Sequence, residues 1–237
     1  MKNFYIILIL IFSFTIFSCA KKSDTSSTST DTSGTGTGTG TGTTASGTIT
    51  GNDNLTGVFH TSWYGQEPSG GCIDNSSALT AYSSSIASDT LSFKKMWIIT
   101  GASTYTDSIA TYSDATCSTM TSYFNVMYKD VTIGSELTGL TAGSSPAKPT
   151  TATKISSVED KYVFMANTTD TIAYLLTLLS QTVTSGTEKV LVVPSPVTKY
   201  GLIATTTVSG STYLFTSRSF STADNVTDWS STSSYWK

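Results

Sequence analysis

Three cysteines are the residues of this chain with the most definite chemistry, and the first of them, Cys19, directly follows an apolar stretch at the N-terminus. This stretch has one early lysine, Lys2, then an apolar core of about fourteen residues, then the small residue Ser18. A membrane-spanning helix needs about 20 apolar residues, whereas a secretory leader needs roughly 7 to 15 and a small residue at the cleavage site. The pattern therefore predicts a leader over residues 1–18 and a mature chain that begins with a thiol.

The run Ile16-Phe17-Ser18-Cys19 resembles the lipobox of bacterial lipoproteins. This resemblance implies that the Cys19 thiol takes a diacylglycerol, that the leader is cut before it, and that the new amine is acylated. Phe17 departs from the small or β-branched residue usual at its position, and such relaxed lipoboxes are similar to those of spirochaetes and Bacteroidetes. Ala20 stands where an aspartate would mark inner-membrane retention in enteric bacteria, which favours the outer membrane. An ordinary leader with an incidental cysteine is the alternative.

The lipobox resemblance predicts a protein of the cell envelope whose partner is membrane lipid, held through acylated Cys19. One acyl chain binds a bilayer marginally, whereas several chains together give a stable anchor. After Cys19, residues 19–50 are Ser, Thr, Gly and Asp with an alternating Gly-Thr core and almost no apolar side chain to bury. Such a composition predicts a flexible tether with an average reach of roughly 30 Å. Surface and periplasmic exposure both stay open.

The remaining cysteines, Cys72 and Cys117, form one pair once Cys19 is assigned to lipid. Oxidising compartments allow disulfides to persist, so an exported chain favours a bond between these two residues. Two buried free thiols are the alternative. A zinc site is disfavoured, because two isolated cysteines and one histidine do not supply a usual structural ligand set.

Composition disfavours several classes of function. Charged residues make up 12% of the chain and the formal net charge is -3, so nothing attracts nucleic acid, which requires clustered Lys and Arg. A Ser/His/Asp hydrolase would have to use His60, the single histidine, and no Gly-x-Ser-x-Gly motif accompanies it. We therefore interpret His60 as a strand residue, and we predict no cofactor and no metal.

Carboxylates offer the remaining route to catalysis. A glycosidase needs two of them from distant parts of the chain, yet all four glutamates of the folded part lie in or beside predicted turns, where a solvated surface position is expected: Glu67, Glu136, Glu159 and Glu188. A short motif occurs twice, as Tyr105-Thr-Asp107 and as Tyr112-Ser-Asp114. These two aspartates lack the spacing of a dedicated calcium loop. We interpret both aspartates as residues of turns or strand edges.

Most of residues 51–237 follow the two-residue alternation of β-strands. This pattern is clearest over 90–101, 123–137, 151–158 and 161–166, and residues 200–208 and 211–220 form the strongest hairpin around Ser209-Gly210. Ile172, Leu175, Leu176 and Leu179 follow helical spacing behind three candidate caps, Thr168, Thr169 and Asp170, although a strand over 170–181 stays an alternative. Leu79, Tyr82 and Ile86 could form one face of a second short helix, but the three serines 83–85 in its middle weaken that prediction. We predict that the aromatic tail from Ser221 covers the end of a sheet.

These elements predict an all-β domain, an antiparallel barrel or sandwich of about 8–9 strands with one short helix. The architecture is weakly similar to lipocalins, but Gly57 and Trp63 lie too far apart to match the Gly-x-Trp signature of that family, so no ligand residues carry over. The first expectation is a non-enzymatic binding or interaction module for an unknown protein or small-molecule ligand. A lipocalin-like carrier of a small apolar molecule and a carbohydrate-active enzyme are the alternatives.

Overall fold

The computed structural model describes residues 44–51, 54–61, 71–141, 148–208, 210–217, 220–229 and 233–237. All of them belong to one compact unit, Gly40–Lys237. The predicted leader, Cys19 and Glu67 lie outside the described residues. Elements follow in the order β1 Thr48–Ile49, β2 Leu55–Thr56, β3 Val58–His60, α1 Ser76–Tyr82, β4 Ser92–Gly101, β5 Thr104–Tyr112, β6 Met120–Thr138, β7 Thr151–Ala166, α2 Thr169–Leu179, β8 Lys189–Val192, β9 Thr198–Val208, β10 Ser211–Ser217 and β11 Ser233–Trp236.

Nine of the described strands form one antiparallel sheet in the order β11-β10-β9-β7-β6-β5-β4-β3, with β8 paired beside β7. The two ends of this sheet meet. Thr61 forms a bridge with Trp236, and His60 and Lys237 exchange backbone hydrogen bonds of 2.6 and 2.7 Å. The sheet is therefore a nearly closed barrel, which confirms the all-β prediction and decides between barrel and sandwich.

β8 and β9 are two parts of one interrupted strand. β8 pairs with Lys161 to Phe164 of β7, whereas β9 pairs with Thr153 to Val158 of the same strand. Five residues, 193–197, separate the two parts and include Pro194 and Pro196, which lack the N–H that a ladder requires. On β7 the interruption lies opposite Glu159 and Asp160. The register of β7 against β6 shifts by one residue at the same place, which breaks the alternation of inward and outward side chains.

A single apolar cluster fills one part of the barrel interior, and strands β3 to β7 and β9 to β11 all contribute to it. The short hairpin of β1 and β2 adds Ile49 and Leu55, which are 1% and 0% exposed. The other buried members are Phe59, Trp97, Ile99, Tyr105, Val131, Ile155, Ile203, Leu214 and Trp236. Packing against the barrel core thus begins at Ile49, just before the boundary predicted at residue 51.

The two helices cover the inner face of the sheet elsewhere. Phe93 and Ile109 pack with the first helix, α1, and Phe124 and Phe164 pack with the second, α2. Ile109, Phe124 and Phe164 follow one another across β5, β6 and β7 in the strand register. Apolar packing therefore lies on both sides of the middle of the barrel. Neither described helix has the length and apolar character needed to cross a membrane.

The helix count differs from the prediction of one short helix. α2 confirms the helical spacing around Leu175, and Thr168 caps it by accepting the N–H of Thr171. α1 is an additional helix, which Asn75 caps by accepting the N–H of Ala78 at 2.6 Å. Because α1 ends at Tyr82, immediately before the three serines, those serines end the helix and do not interrupt it.

The disulfide between Cys72 and Cys117 is present, with the two Cα atoms 5.8 Å apart. The predicted hairpin is also confirmed, since Val208 pairs with Ser211 and the two strands stay in register to Ile203 and Thr216. The tail differs from expectation. Trp229 packs against the outward side chains of β9 and β10, whereas Trp236 belongs to the last barrel strand and points into the interior.

Candidate functional site

Within the part of the chain that the structure describes, four charged side chains from four barrel strands project into the interior, and we call them the interior charged layer: Lys95 of β4, Asp107 of β5, Glu159 of β7 and Lys199 of β9. Their direction follows from the two-residue alternation of strands. Lys95 and Asp107 are each two positions from a member of the apolar interior cluster, Trp97 and Tyr105 respectively. The layer therefore shares the inner face with the apolar cluster.

Lys95 and Asp107 form the more open pair of the layer. The Lys95 Nζ lies 4.0 Å from the Asp107 Oδ2, and their side chains are 26% and 33% exposed. The same Nζ lies 5.3 Å from the ring centroid of Trp236, within the range of a cation–π interaction. Desolvation raises the pKa of Asp107, and the charge of Lys95 offsets this increase only in part.

Glu159 and Lys199 form the tighter pair. Lys199 Nζ donates to Glu159 Oε2 at 2.7 Å, and the two side chains are 12% and 17% exposed respectively. Ser157 faces the interior, where it is fully buried and bonds to Tyr105. Lys199 points inward because it pairs directly with Ser157, and Glu159 points inward because it lies two positions after Ser157 on the same strand. A charge-assisted hydrogen bond of this length holds two charges that would be costly to bury alone.

Tyrosines surround the two ion pairs. The Tyr105 hydroxyl lies 3.1 Å from Ser157 Oγ, and its ring stacks on Tyr128 with the centroids 4.5 Å apart. Burial raises the pKa of both phenols well above the ordinary value, and the nearby carboxylates add to the shift. Burial, followed by the charge of Glu159, also raises the pKa of Tyr162 to about 12. All three hydroxyls therefore stay protonated at neutral pH and can act as hydrogen-bond donors.

Two predictions about carboxylates are wrong. Glu159 lies within β7 and not at an exposed turn, and it faces inward two positions after the buried Ser157. A register shift at Asp160 then lets Tyr162 face inward as well, although three positions separate it from Glu159. Asp107 lies in the middle of β5 opposite Trp97, so it is not a turn or edge residue. One signal for the layer is present in the sequence. Lys95 alternates with three apolar residues that face the interior, Phe93, Trp97 and Ile99, so the sequence places a lysine on a buried face.

Other predicted residues lie elsewhere in the described chain. His60 is a strand residue, as predicted. Glu136 is exposed near the end of β6, and Glu188 is exposed just before β8 and accepts a hydrogen bond from the Tyr123 hydroxyl, so both have the surface position that was predicted. Asp114 does form a turn, where its carboxylate accepts the N–H groups of residues 116, 118 and 119. Among the described residues, no three histidine, cysteine or carboxylate side chains come together as a metal site would require.

The raised pKa of Asp107 leads to a prediction about stability. A carboxyl whose pKa is higher in the folded state binds more protons there, so stability falls as pH rises from the unfolded-state pKa through the folded-state pKa. Asp107→Asn removes this penalty. We expect it to increase the free energy of unfolding at pH 7 by less than about 1 kcal/mol and to have a smaller effect at pH 3.

Urea unfolding of both proteins at the two pH values measures this difference. Asp160→Asn is the matched control, since that carboxylate forms an outer-face ion pair of 2.7 Å with Lys129. A loss of stability at pH 7 in Asp107→Asn would show that attraction to Lys95 outweighs the desolvation of Asp107.

Together, these features define an antiparallel β-barrel with an apolar core and a charged, partly solvent-accessible layer in its interior. Comparison with known proteins adds no family to this description: no family model matches the chain, and neither does any curated protein.

Proposed function

We propose that this chain is a lipid-anchored lipoprotein of the bacterial cell envelope and that its barrel is a non-enzymatic binding module. The lipobox resemblance at Cys19 supports the anchor, and the predicted outer-membrane location depends on the same resemblance. The interior of the barrel supports the binding role. There, Lys95 and Asp107 remain accessible to solvent between regions of apolar packing.

The accessible pair is the observation that carries the binding role. Charged side chains inside a barrel lose hydration, and the raised pKa of Asp107 reflects that cost. A domain that served only as a spacer would have no use for such an arrangement, since apolar side chains of similar volume are often at least as stabilising. Groups that are unfavourable for stability and reachable from solvent are typical of binding sites.

Cys19→Ala tests the anchor. We expect the variant to remain as an uncut precursor without acyl chains, and metabolic labelling with a radioactive fatty acid should mark the wild type but not Cys19→Ala. Ala20→Ser serves as the matched control and should be labelled and processed like the wild type. If Cys19→Ala still appears as the mature form in the detergent phase, the anchor proposal fails.

A carrier of a small apolar molecule is the first alternative, and the nearly closed antiparallel barrel favours it, since such barrels often enclose a ligand. The filled apolar cluster weighs against it. Leu55, Ile99 and Leu214 are all 0% exposed and occupy the space that an apolar ligand would need.

A carbohydrate-active enzyme is the second alternative. In its favour, Asp107 and Glu159 share the inner face in different environments, as a glycosidase acid and its partner carboxylate do. Against it, a lysine pairs with each carboxylate. Hydrolysis of aryl glycosides by the wild type, abolished in Asp107→Asn, would support this alternative over a binding module.

A further inference from the structure

The short strand β8 has a neighbour on one side only. On the side away from β7, β9 is paired with β10 and with Ser221, whereas among the described residues β8 pairs with β7 alone. We propose that the free edge of β8 pairs with β8 of a second copy of this chain, antiparallel, so that two barrels form a symmetric dimer. β8 contains no member of the interior charged layer, so the dimer adds to the proposed binding role and does not depend on it.

The backbone groups that point to this edge belong to Val190 and Val192. The Val193 N–H donates to the Asp160 carbonyl of β7 at 3.0 Å. In an antiparallel ladder, the backbone groups of successive residues alternate between the two sides of the strand. The N–H and C=O groups of Val190 and Val192 therefore point away from β7. Such a row of groups is a template for pairing with another strand.

The side chains along this edge are apolar and exposed. Val190 is 49% exposed and Val192 is 71% exposed. Lysines and prolines commonly protect an edge strand from pairing. Here the Lys189 Nζ donates to the Thr182 carbonyl, and Pro194 comes only after β8 has ended. An apolar stretch of three residues, 190–192, is therefore open to pairing.

β8 is held in place by the rest of the domain. It pairs with Lys161 to Phe164 of β7, and the Leu191 side chain packs against the apolar cluster that includes residues of α2. A strand that is already ordered loses little conformational freedom when it binds a partner. The edge is thus preorganised for association.

The sequence of β8 favours a second copy of the same strand as the partner. When Leu191 lies opposite Leu191 of the second copy, Val190 of each chain lies opposite Val192 of the other. Each of these two pairs can exchange two N–H···O bonds, and the facing side chains form cross-strand valine pairs. Lys189 lies opposite Val193, so the two lysines do not meet. β8 therefore complements itself in hydrogen bonding, apolar contact and charge.

Sedimentation equilibrium of the full chain in density-matched detergent tests the dimer. We expect the wild type to dimerise as its concentration rises, and Val192→Pro to raise the dissociation constant at least tenfold. The proline removes an N–H that faces the edge and none that bonds to β7, which an edge strand tolerates. Val190→Lys should have the same effect by placing a charge at each contact.

Val197→Lys is the matched control for these variants. Val197 is 52% exposed, like the valines of the edge, but it lies outside β8. This variant should dimerise with a dissociation constant within twofold of the wild type.

Cross-linking tests the register of the two strands. A mixture of Val190→Cys and Val192→Cys should form disulfide-linked dimers under mild oxidation, because opposite residues of a hydrogen-bonded pair have Cα atoms about 5.5 Å apart. A mixture of Val190→Cys and Val197→Cys is the control and should form at least fivefold less of the linked dimer. Chains that share a micelle by chance would link equally in both mixtures. This measurement decides even if Val192→Pro does not fold.

Three results would overturn the dimer: a wild type that stays monomeric at about 1 mM, a dimer that neither Val192→Pro nor Val190→Lys weakens, and equal linking in the two mixtures. A monomeric wild type that binds an unrelated valine-rich peptide would assign the edge to a different partner. None of these readouts involves the barrel interior or the labelling of Cys19. Failure of the dimer therefore leaves the binding module and the anchor standing.

Discussion

Replacing Cys72 and Cys117 together by serine should lower the free energy of unfolding by about 4 kcal/mol and the melting temperature by roughly 10 °C. The bond joins residues with a sequence separation of 45, and the loop it closes contains α1, β4 and β5. Without the bond, the unfolded chain gains the conformational freedom of this whole loop. Urea unfolding of the wild type and the double variant measures the loss.

Reductant provides the internal control for this prediction. It should lower the stability of the wild type to that of the double variant, and it should leave the double variant unchanged. Equal stability of the wild type with and without reductant would contradict the prediction.

Local patterns in the sequence were sufficient for much of the fold. Alternation identified β4 and the hairpin of β9 and β10, and counting cysteines identified the disulfide. It also identified both halves of β7, residues 151–158 and 161–166, but as two separate strands, whereas the structure has one continuous strand. In each case the evidence lies within a few neighbouring residues or in residue identity alone. Closure of the barrel is different, because it depends on Thr61 meeting Trp236 from the opposite end of the domain.

The candidate site was less predictable for a related reason. Glu159 follows Ile155 and Ser157 toward the interior by regular alternation, but the register against β6 shifts by one residue at Asp160, so that Tyr162 also faces inward. No sequence pattern near Asp160 indicates that shift, which arises from pairing with β6. The partner of each charge is also distant in sequence, since Glu159 meets Lys199 only after β7 and β9 pair.

Gly71→Ala should lower the free energy of unfolding by about 3 kcal/mol. Gly71 has φ +71°, a conformation that costs a residue with a side chain about 1 to 2 kcal/mol. An added Cβ would also lie 2.1 Å from His60 Nδ1 and 2.7 Å from His60 Cβ, so the imidazole would have to move. Thermal and urea unfolding measure the combined effect.

The two contributions can be separated. Gly139 has φ +73° with no neighbouring atom within 4 Å of an added Cβ, so Gly139→Ala should cost the backbone contribution alone. The buried Nδ1 of His60 has no hydrogen-bond partner among the residues that the structure describes, so removing the imidazole breaks no such bond to them. In the double variant His60→Ala/Gly71→Ala, the loss of stability should thus be smaller than the sum of the two single losses.

The steric contribution matters for the barrel as a whole because of where His60 lies. Its backbone exchanges hydrogen bonds with Lys237 at the seam between the first and last strands of the sheet. Displacing this residue should therefore loosen closure, and amide exchange of Lys237 should accelerate in Gly71→Ala but not in Gly139→Ala. Equal stability losses in the two glycine variants, with equal exchange at Lys237, would show that the imidazole moves aside without disturbing the seam.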